Sequence, residues 1–283
     1  MSGLSHTRRA VAVSALLLLM TSLVGQATAA TITAQPAPGA GVTAPHSLMP
    51  SAPAPSPSGR EGRTESTRVD KPIKLVKPKG RTGPAGSVLL TGNKGVALTF
   101  DDGPDPTNTP KLLKMLAKEQ VKATFCLVGT QARRHPDLVE AIAKDGHSFC
   151  NHSWNHDLKL GKRPKSAIRA DLARTNAAIR AVVPDAKIRY MRAPGGNFTP
   201  SLVKVSAELG MHSIYWKVDP RDWEHKTGES SADHRKRIVR IVKKHTRPGA
   251  IILSHDYNQP DTIAAYRTLL PWLRHRFDLV ALT

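Results

Sequence analysis

The chain has 283 residues and a formal charge of +20 at neutral pH, with two cysteines and 5% aromatic residues. Two cysteines do not by themselves make a zinc site. So basic a chain attracts nucleic acid, but no recognised binding motif accompanies the charge, so specific nucleic-acid recognition is not expected.

The N-terminus comes first. Arg8 and Arg9 precede an apolar stretch from Ala10 to Val24, and the small-residue pattern Ala27-Thr28-Ala29 follows. This layout predicts a secretory signal peptide over residues 1–29 and an extracellular or cell-wall-associated protein. The apolar stretch falls short of the roughly 20 residues a bilayer span needs, and Ser14, Thr21 and Ser22 interrupt it, so no stable membrane span is expected after cleavage.

Residues 30–85 are rich in Pro, Ala and Ser and read as a disordered linker, with Ile32, Leu48, Ile73 and Leu75 too scattered to form a core. Such a coil would reach roughly 40 Å, as a tether or as a passive spacer. Residues 86–283 are long enough for one domain with a substantial core. Beyond residue 84 there are 32 Lys or Arg against 19 Asp or Glu, which suggests anionic partners such as cell-wall polymers.

From residue 96 strands alternate with helices. Val96–Phe100 reads as a buried strand, and Thr109 as the N-cap of a helix with Pro110 at its first position. Ala123–Val128 is a second strand, followed by a helix that stops before Gly146, and His147–Cys150 is a third. Cys126 and Cys150 lie in these two strands. In an oxidising compartment a disulfide between them is expected, closing 24 sequence steps and worth roughly 3 kcal/mol. Two buried free thiols are the alternative.

A helix over Ser166–Val182 leads to a strand at Ile188–Met191. Thr199 and Pro200 open a further helix that Gly210 stops. His212–Trp216 and Ala250–Ser254 are strands separated by a basic helix, Ala232–His245, and a last helix precedes Leu279–Leu282. This alternation argues for a parallel α/β domain. Polar motifs follow many successive strands, which is what the C-terminal face of a barrel delivers. An open sheet concentrates them at one switch point. The expected fold is therefore a distorted or incomplete (β/α) barrel of about seven parallel strands.

Two features carry chemistry. Asp101 and Asp102 end the first strand, where Gly103 and Pro104 bend the chain so that both carboxylates can approach one place. His152 and His156 in HSWNH are four apart, a spacing that on a helical turn aims both imidazoles the same way. With Asp102 they supply two nitrogens and one oxygen, a donor set that leaves positions open for water and substrate, as catalytic zinc requires. No Glu adjoins the first histidine, so a base must come from elsewhere, and Asp101 is the candidate. The same donors also suit a non-haem iron oxygenase, but a base and an acid in addition favour hydrolysis.

Five motifs then recur in order: TFDDG at Thr99–Gly103, HSWNH at His152–His156, RAPGG at Arg192–Gly196, DPRDW at Asp219–Trp223 and LSH at Leu253–His255. The domain from residue 86 onward resembles the polysaccharide deacetylase family, the NodB-homology or carbohydrate esterase family 4 enzymes. The resemblance implies that Asp102, His152 and His156 bind a divalent metal, usually zinc and sometimes cobalt, with Asp101 as general base toward a metal-bound water. It implies that the Gly195 N–H stabilises the oxyanion and that His255 protonates the leaving amine. Arg192 would hold Asp101 and Asp222 would pair with His255, while Asp219 stays structural or supporting. Trp223 and Leu253 match positions lining the substrate groove and the acetyl pocket.

Trp154 and Trp216 are expected to serve packing rather than sugar stacking. The family often carries an aromatic residue where Gly195 stands, so the groove wall there is expected to lack a side chain. The implied activity is removal of acetyl groups from N-acetylated glycans such as peptidoglycan or chitin oligomers. O-deacetylation of xylan and a non-catalytic wall-binding module are the alternatives.

Overall fold

The structure is a computed structural model that describes residues 82–283. The expected signal peptide and nearly all of the expected linker lie outside the described residues. Seven strands are found among the described residues, all parallel: β1 (Val96–Asp101), β2 (Thr124–Leu127), β3 (Ser148–Asn151), β4 (Tyr190–Met191), β5 (His212–Ser213), β6 (Ile251–His255) and β7 (Leu279–Val280). Each falls within a segment that alternation and burial predict, to within a residue.

The sheet order is β5-β4-β3-β2-β1-β6. β6 pairs along β1 from Ala97 to Asp101, while β7 takes the start of β1's other edge and β2 the rest. After β5 the chain crosses to the far edge, where Val218 bridges Ile252 of β6. Residues 88–90 add two further bridges, Val88 to Ile214 and Leu90 to Ala250, so the two edges are joined by isolated bridges and not by a ladder, which is the distorted barrel the strand-end motifs imply.

Alternation along each strand sorts the side chains into two cores. Val96, Leu98 and Phe100 of β1, with Phe125, Leu127 and Phe149, pack outward under the helices. Ala97, Cys126, Cys150, Tyr190, Ile214 and Ile251 form a small inner cluster. The register sets Cys126 opposite Cys150 on neighbouring strands, and the two form a disulfide inside that cluster.

The helices are α1 (Thr109–Lys118), α2 (Gly129–Arg134), α3 (Pro136–Lys144), α4 (Lys165–Arg180), α5 (Pro200–Glu208), α6 (Ser231–His245) and α7 (Pro260–Arg276). The single helix expected before Gly146 is two, because Pro136 forces His135 out of helical geometry. Thr199 caps α5 as expected, its hydroxyl accepting from the Leu202 N–H. Thr109 does not cap α1. It is the first residue of the helix, and the N-cap Asn108 makes no side-chain cap. Asp105 Oδ1 accepts from the Thr107 and Asn108 N–H groups in the turn before it, while the Thr109 hydroxyl donates to Asp256. No helix among the described residues is long and apolar enough to cross a membrane.

Candidate active site

Strand register assembles the site. Asp101, the last residue of β1, is the direct partner of His255, the last residue of β6. Asn151 of β3 pairs with Met191 of β4, so the next residues, His152 and Arg192, also emerge side by side. Asp101 lies on the inward face with Ala97 and Thr99, and strict alternation would turn Asp102 away. Asp102 instead adopts a left-handed conformation, φ 75°, which swings its carboxylate back toward the same cavity.

The resulting cavity is about 580 Å³ and is lined by Asp101, Asp102, His152, His156, Gly195, Trp223, Leu253 and His255. Arg192 and Asp222, the other two residues expected at the site, stand behind it and are fully buried.

Asp102, His152 and His156 present donor atoms that all lie within 4.8 Å of one another. His152 Nε2 and His156 Nε2 are 3.3 Å and 3.4 Å from Asp102 Oδ1. That oxygen is buried and has no hydrogen-bond partner. His152 Nδ1 lies 2.9 Å from the Arg192 carbonyl, a contact that fixes the proton on Nδ1 and frees Nε2. The trio therefore fits a bound divalent cation: an orphaned carboxylate oxygen, an imidazole locked in the ligating tautomer and a second imidazole beside it.

The histidine spacing is not helical. His152–His156 is a loop in which Ser153 (φ 65°) and His156 (φ 58°) are left-handed. Its backbone groups are used elsewhere. Asn151 Oδ1 accepts from the Ser153 N–H and Asp171 Oδ1 from the Trp154 N–H. The first amides of α2, Gly129 and Thr130, donate to the Ser153 and Trp154 carbonyls. A helix N-terminus needs such acceptors, and the left-handed residues Ser153 and His156 keep the segment out of helical geometry.

Arg192 is the hub of the buried shell. Its Nη1 donates to Asp101 Oδ1 at 2.6 Å and to Thr99 Oγ1 at 2.8 Å, and its Nη2 donates to the Tyr215 carbonyl at 3.1 Å. One oxygen of Asp101 is thereby fixed, and the other, Oδ2, stands 3.6 Å from His152 Nε2. Across the cavity, Asp222 Oδ1 is 2.8 Å from His255 Nδ1, and its Oδ2 accepts from the His255 N–H and the Thr262 hydroxyl. Burial alone would depress the His255 pKa. The Asp222 carboxylate, with Asp102 and Asp101 behind it, outweighs that and pushes it up to about 10. His255 is therefore a cation at neutral pH, with Nε2 as the nitrogen free to donate.

Burial raises the pKa of Asp219, whose Oδ1 accepts from the Arg221 N–H at the cavity edge. Trp223 is 46% exposed, with the Arg221 guanidinium 4.8 Å from its ring centre. Trp154 is packed as expected, with Arg174 3.8 Å from its ring centre. Trp216 differs: it stacks on Tyr215 and lines the cavity. The wall beside Gly195 is not short of a side chain either. Gly195 is left-handed (φ 59°), and Leu158, 52% exposed, lies where a side chain at 195 would begin, its carbonyl tied to Asn197 Nδ2.

One functional neighbour escapes motif reading. Asp256 is fully buried beneath the Asp101–Gly103 turn, where burial pushes its pKa up to about 7. Its carboxyl accepts from Thr109 and leaves no room for a Cβ at Gly103. Adjacency to His255 was the sole signal in the sequence.

Comparison with known proteins fits this geometry. Residues 90–214 match the family model for polysaccharide deacetylase. A chitooligosaccharide deacetylase from Sinorhizobium fredii is 37% identical over 200 residues, covering 66% of this chain and 88% of that protein. A peptidoglycan-N-acetylglucosamine deacetylase from Bacillus cereus is 34% identical, covering 66% and 87%. Among solved structures, a CE4 family pseudoenzyme from Bacillus anthracis superposes with a TM-score of 0.59 at 28% identity, covering 66% of this chain and 63% of that one. Likeness to a pseudoenzyme means the fold alone does not certify chemistry, so the weight falls on which site positions are filled and on the curated relatives. On both counts the chain belongs to the polysaccharide deacetylase family and is a polysaccharide deacetylase.

Proposed function

We propose that this enzyme is a secreted, metal-dependent hydrolase that removes acetyl groups from N-acetylated glycans, peptidoglycan or chitin oligomers. The observation that carries the reading is the register pairing of Asp101 with His255, which sets a carboxylate and a charged imidazole at one cavity beside the Asp102–His152–His156 trio. The two curated relatives support N-deacetylation over ester cleavage. The leader-like residues 1–29 and the basic remainder support export toward an anionic wall.

Asp102, His152 and His156 would hold the ion, for which two imidazoles and a carboxylate suit zinc or cobalt. When bound, it supplies Lewis acidity toward a carbonyl oxygen and makes water more acidic. Asp101 Oδ2 takes the proton from the attacking water while Arg192 pins Oδ1. The water oxygen bonds to the acetyl carbon, and the Gly195 N–H donates to the oxyanion that forms. His255 Nε2 then passes its proton to the amide nitrogen as the C–N bond breaks, releasing acetate and a free amine. Leu253 abuts the acetyl methyl, and Trp223 offers an exposed aromatic face to the sugar.

The test is acetate release from chitin oligomers, peptidoglycan and acetylated xylan. Turnover of an N-acetylated glycan, abolished by chelation and restored by zinc or cobalt, is the expected result. Release from xylan alone would make the enzyme an esterase, and full activity after chelation would remove the metal from the mechanism.

A pH prediction follows from the Asp222–His255 pair. The His255 pKa is raised from its ordinary 6.5, so the proton needed for departure of the amine is present below that range and is lost as pH climbs toward 10. A cation held by Asp102 pulls the other way, so wild type and variant are compared directly. Asp222→Asn is expected to move the basic limb of kcat/KM down by about 1–3 pH units. An unmoved limb would mean that Asp222 does not govern this proton.

A further inference from the structure

We propose that His225, His234 and Asp261 form a second divalent-cation site, of the zinc class, that clamps the loop carrying Asp222 and Trp223 against α6 and α7. Their donor atoms all lie within 4.8 Å of one another. The three come from separate elements: His225 from the loop after β5, His234 from α6 and Asp261 from the first turn of α7.

His234 is the strongest sign that the cluster is built to bind something. It is wholly buried, yet neither of its ring nitrogens has a hydrogen-bond partner. Buried polar groups are nearly always satisfied, so an exception calls for a cause. Its Nδ1 faces Asp261 Oδ2 at 3.4 Å, and the His225 ring stands edge-on to it with centroids 4.1 Å apart. Arg235 donates to the other Asp261 oxygen at 2.8 Å, which orients the carboxylate as an outer-shell partner orients a metal ligand.

The donor set selects the ion. Two imidazoles and one carboxylate favour zinc and its neighbours over calcium or magnesium, which take oxygen ligands. Bonds of about 2.0–2.1 Å in a tetrahedral site bring donors to roughly 3.3 Å apart. The exposed His225 can close that gap by rotating and leaves the fourth position to water.

Position gives the site a consequence for catalysis. Asp261 precedes Thr262, whose hydroxyl donates to Asp222, and His225 lies three residues after Asp222. Arg237 of α6 already grips the same loop, donating to the carbonyls of Pro220, Arg221 and Glu224. A cation bridging His225 to α6 and α7 would close the opposite side of that grip. His225, His234 and Asp261 are thus positioning residues, acting through Asp222 on His255.

The experiment measures zinc binding to the full chain by elemental analysis and by competition with a chromophoric chelator. Wild type is expected to bind two equivalents. Asp102→Ala should keep the second, and its Tm should rise with added zinc. His225→Ala removes an exposed side chain and should fold normally. It should weaken the second site by at least about 10-fold, and the zinc-dependent Tm rise should vanish in the Asp102→Ala/His225→Ala double variant. His225→Cys, which retains a ligand, should restore binding. A wild type with one equivalent that is lost in Asp102→Ala, or zinc binding that persists unchanged in the Asp102→Ala/His225→Ala double variant, would overturn the proposal.

Discussion

Asp101→Asn is expected to cut acetate release by about 10²–10⁴-fold, the range for removing a positioned acid or base, with metal content at the wild-type level. The two halves of that expectation come from the two oxygens of one carboxylate. Oδ1 is held at 2.6 Å by Arg192, and an amide oxygen can still accept that bond, so the turn and the neighbouring trio stay in place. Oδ2 faces the cavity and is not one of the three clustered donors. Asparagine keeps its size and loses its basicity. Asp102→Ala removes a clustered donor, so metal is lost along with activity. Measuring zinc per chain beside acetate release separates the two. An Asp101→Asn enzyme that has lost its metal would make Asp101 a ligand, and one with near-normal turnover would end its role as base.

Arg192→Met is expected to be the most destabilising single change at the site. Arg192 and Asp101 are fully buried, and breaking a buried pair by removing one partner costs about 3–5 kcal/mol, because the remaining charge has neither water nor counter-ion. For a domain of this size that corresponds to a fall in Tm on the order of 10 °C. The Thr99 hydroxyl and the Tyr215 carbonyl lose their donor at the same time. The diagnostic is the double variant. Adding Asp101→Asn to Arg192→Met removes the stranded carboxylate, so the pair should be more stable than Arg192→Met alone. If the second substitution lowers Tm further, the penalty arises from lost packing of the long Arg192 side chain and not from an uncompensated charge.

Several residues at this site share a backbone state that sequence patterns do not announce. Asp102, Ser153, His156 and Arg221 all have positive φ, and none is glycine. Each such residue costs of order 1–3 kcal/mol and persists where the surroundings enforce it. At Asp102 the turn reverses the strand alternation, and at Ser153 and His156 it replaces the helical turn that HxxxH spacing suggests. The clustered residues were therefore legible as candidates while the means of bringing them together was not. Capping followed the same pattern. Thr199 is read correctly because its partner is three residues away, whereas Thr109 is misread because its partner, Asp256, comes from the far side of the chain.

Local order in the sequence determined a good deal: seven apolar runs with helices between them, polar motifs at the ends of those runs, and the residue types that line the cavity. Such information is local, carried by period, capping residues and the character of single side chains. Only the tertiary structure decided which strand ends meet. The register that sets Asp101 against His255 joins residues 154 positions apart, and the cluster of His225, His234 and Asp261 joins a loop and two helices. It also decided that Asp256 is buried under the Gly103 turn and that Leu158 walls the groove beside Gly195. Burial and proximity across distant segments come from how the sheet curls and closes, and no period in the chain encodes that closure.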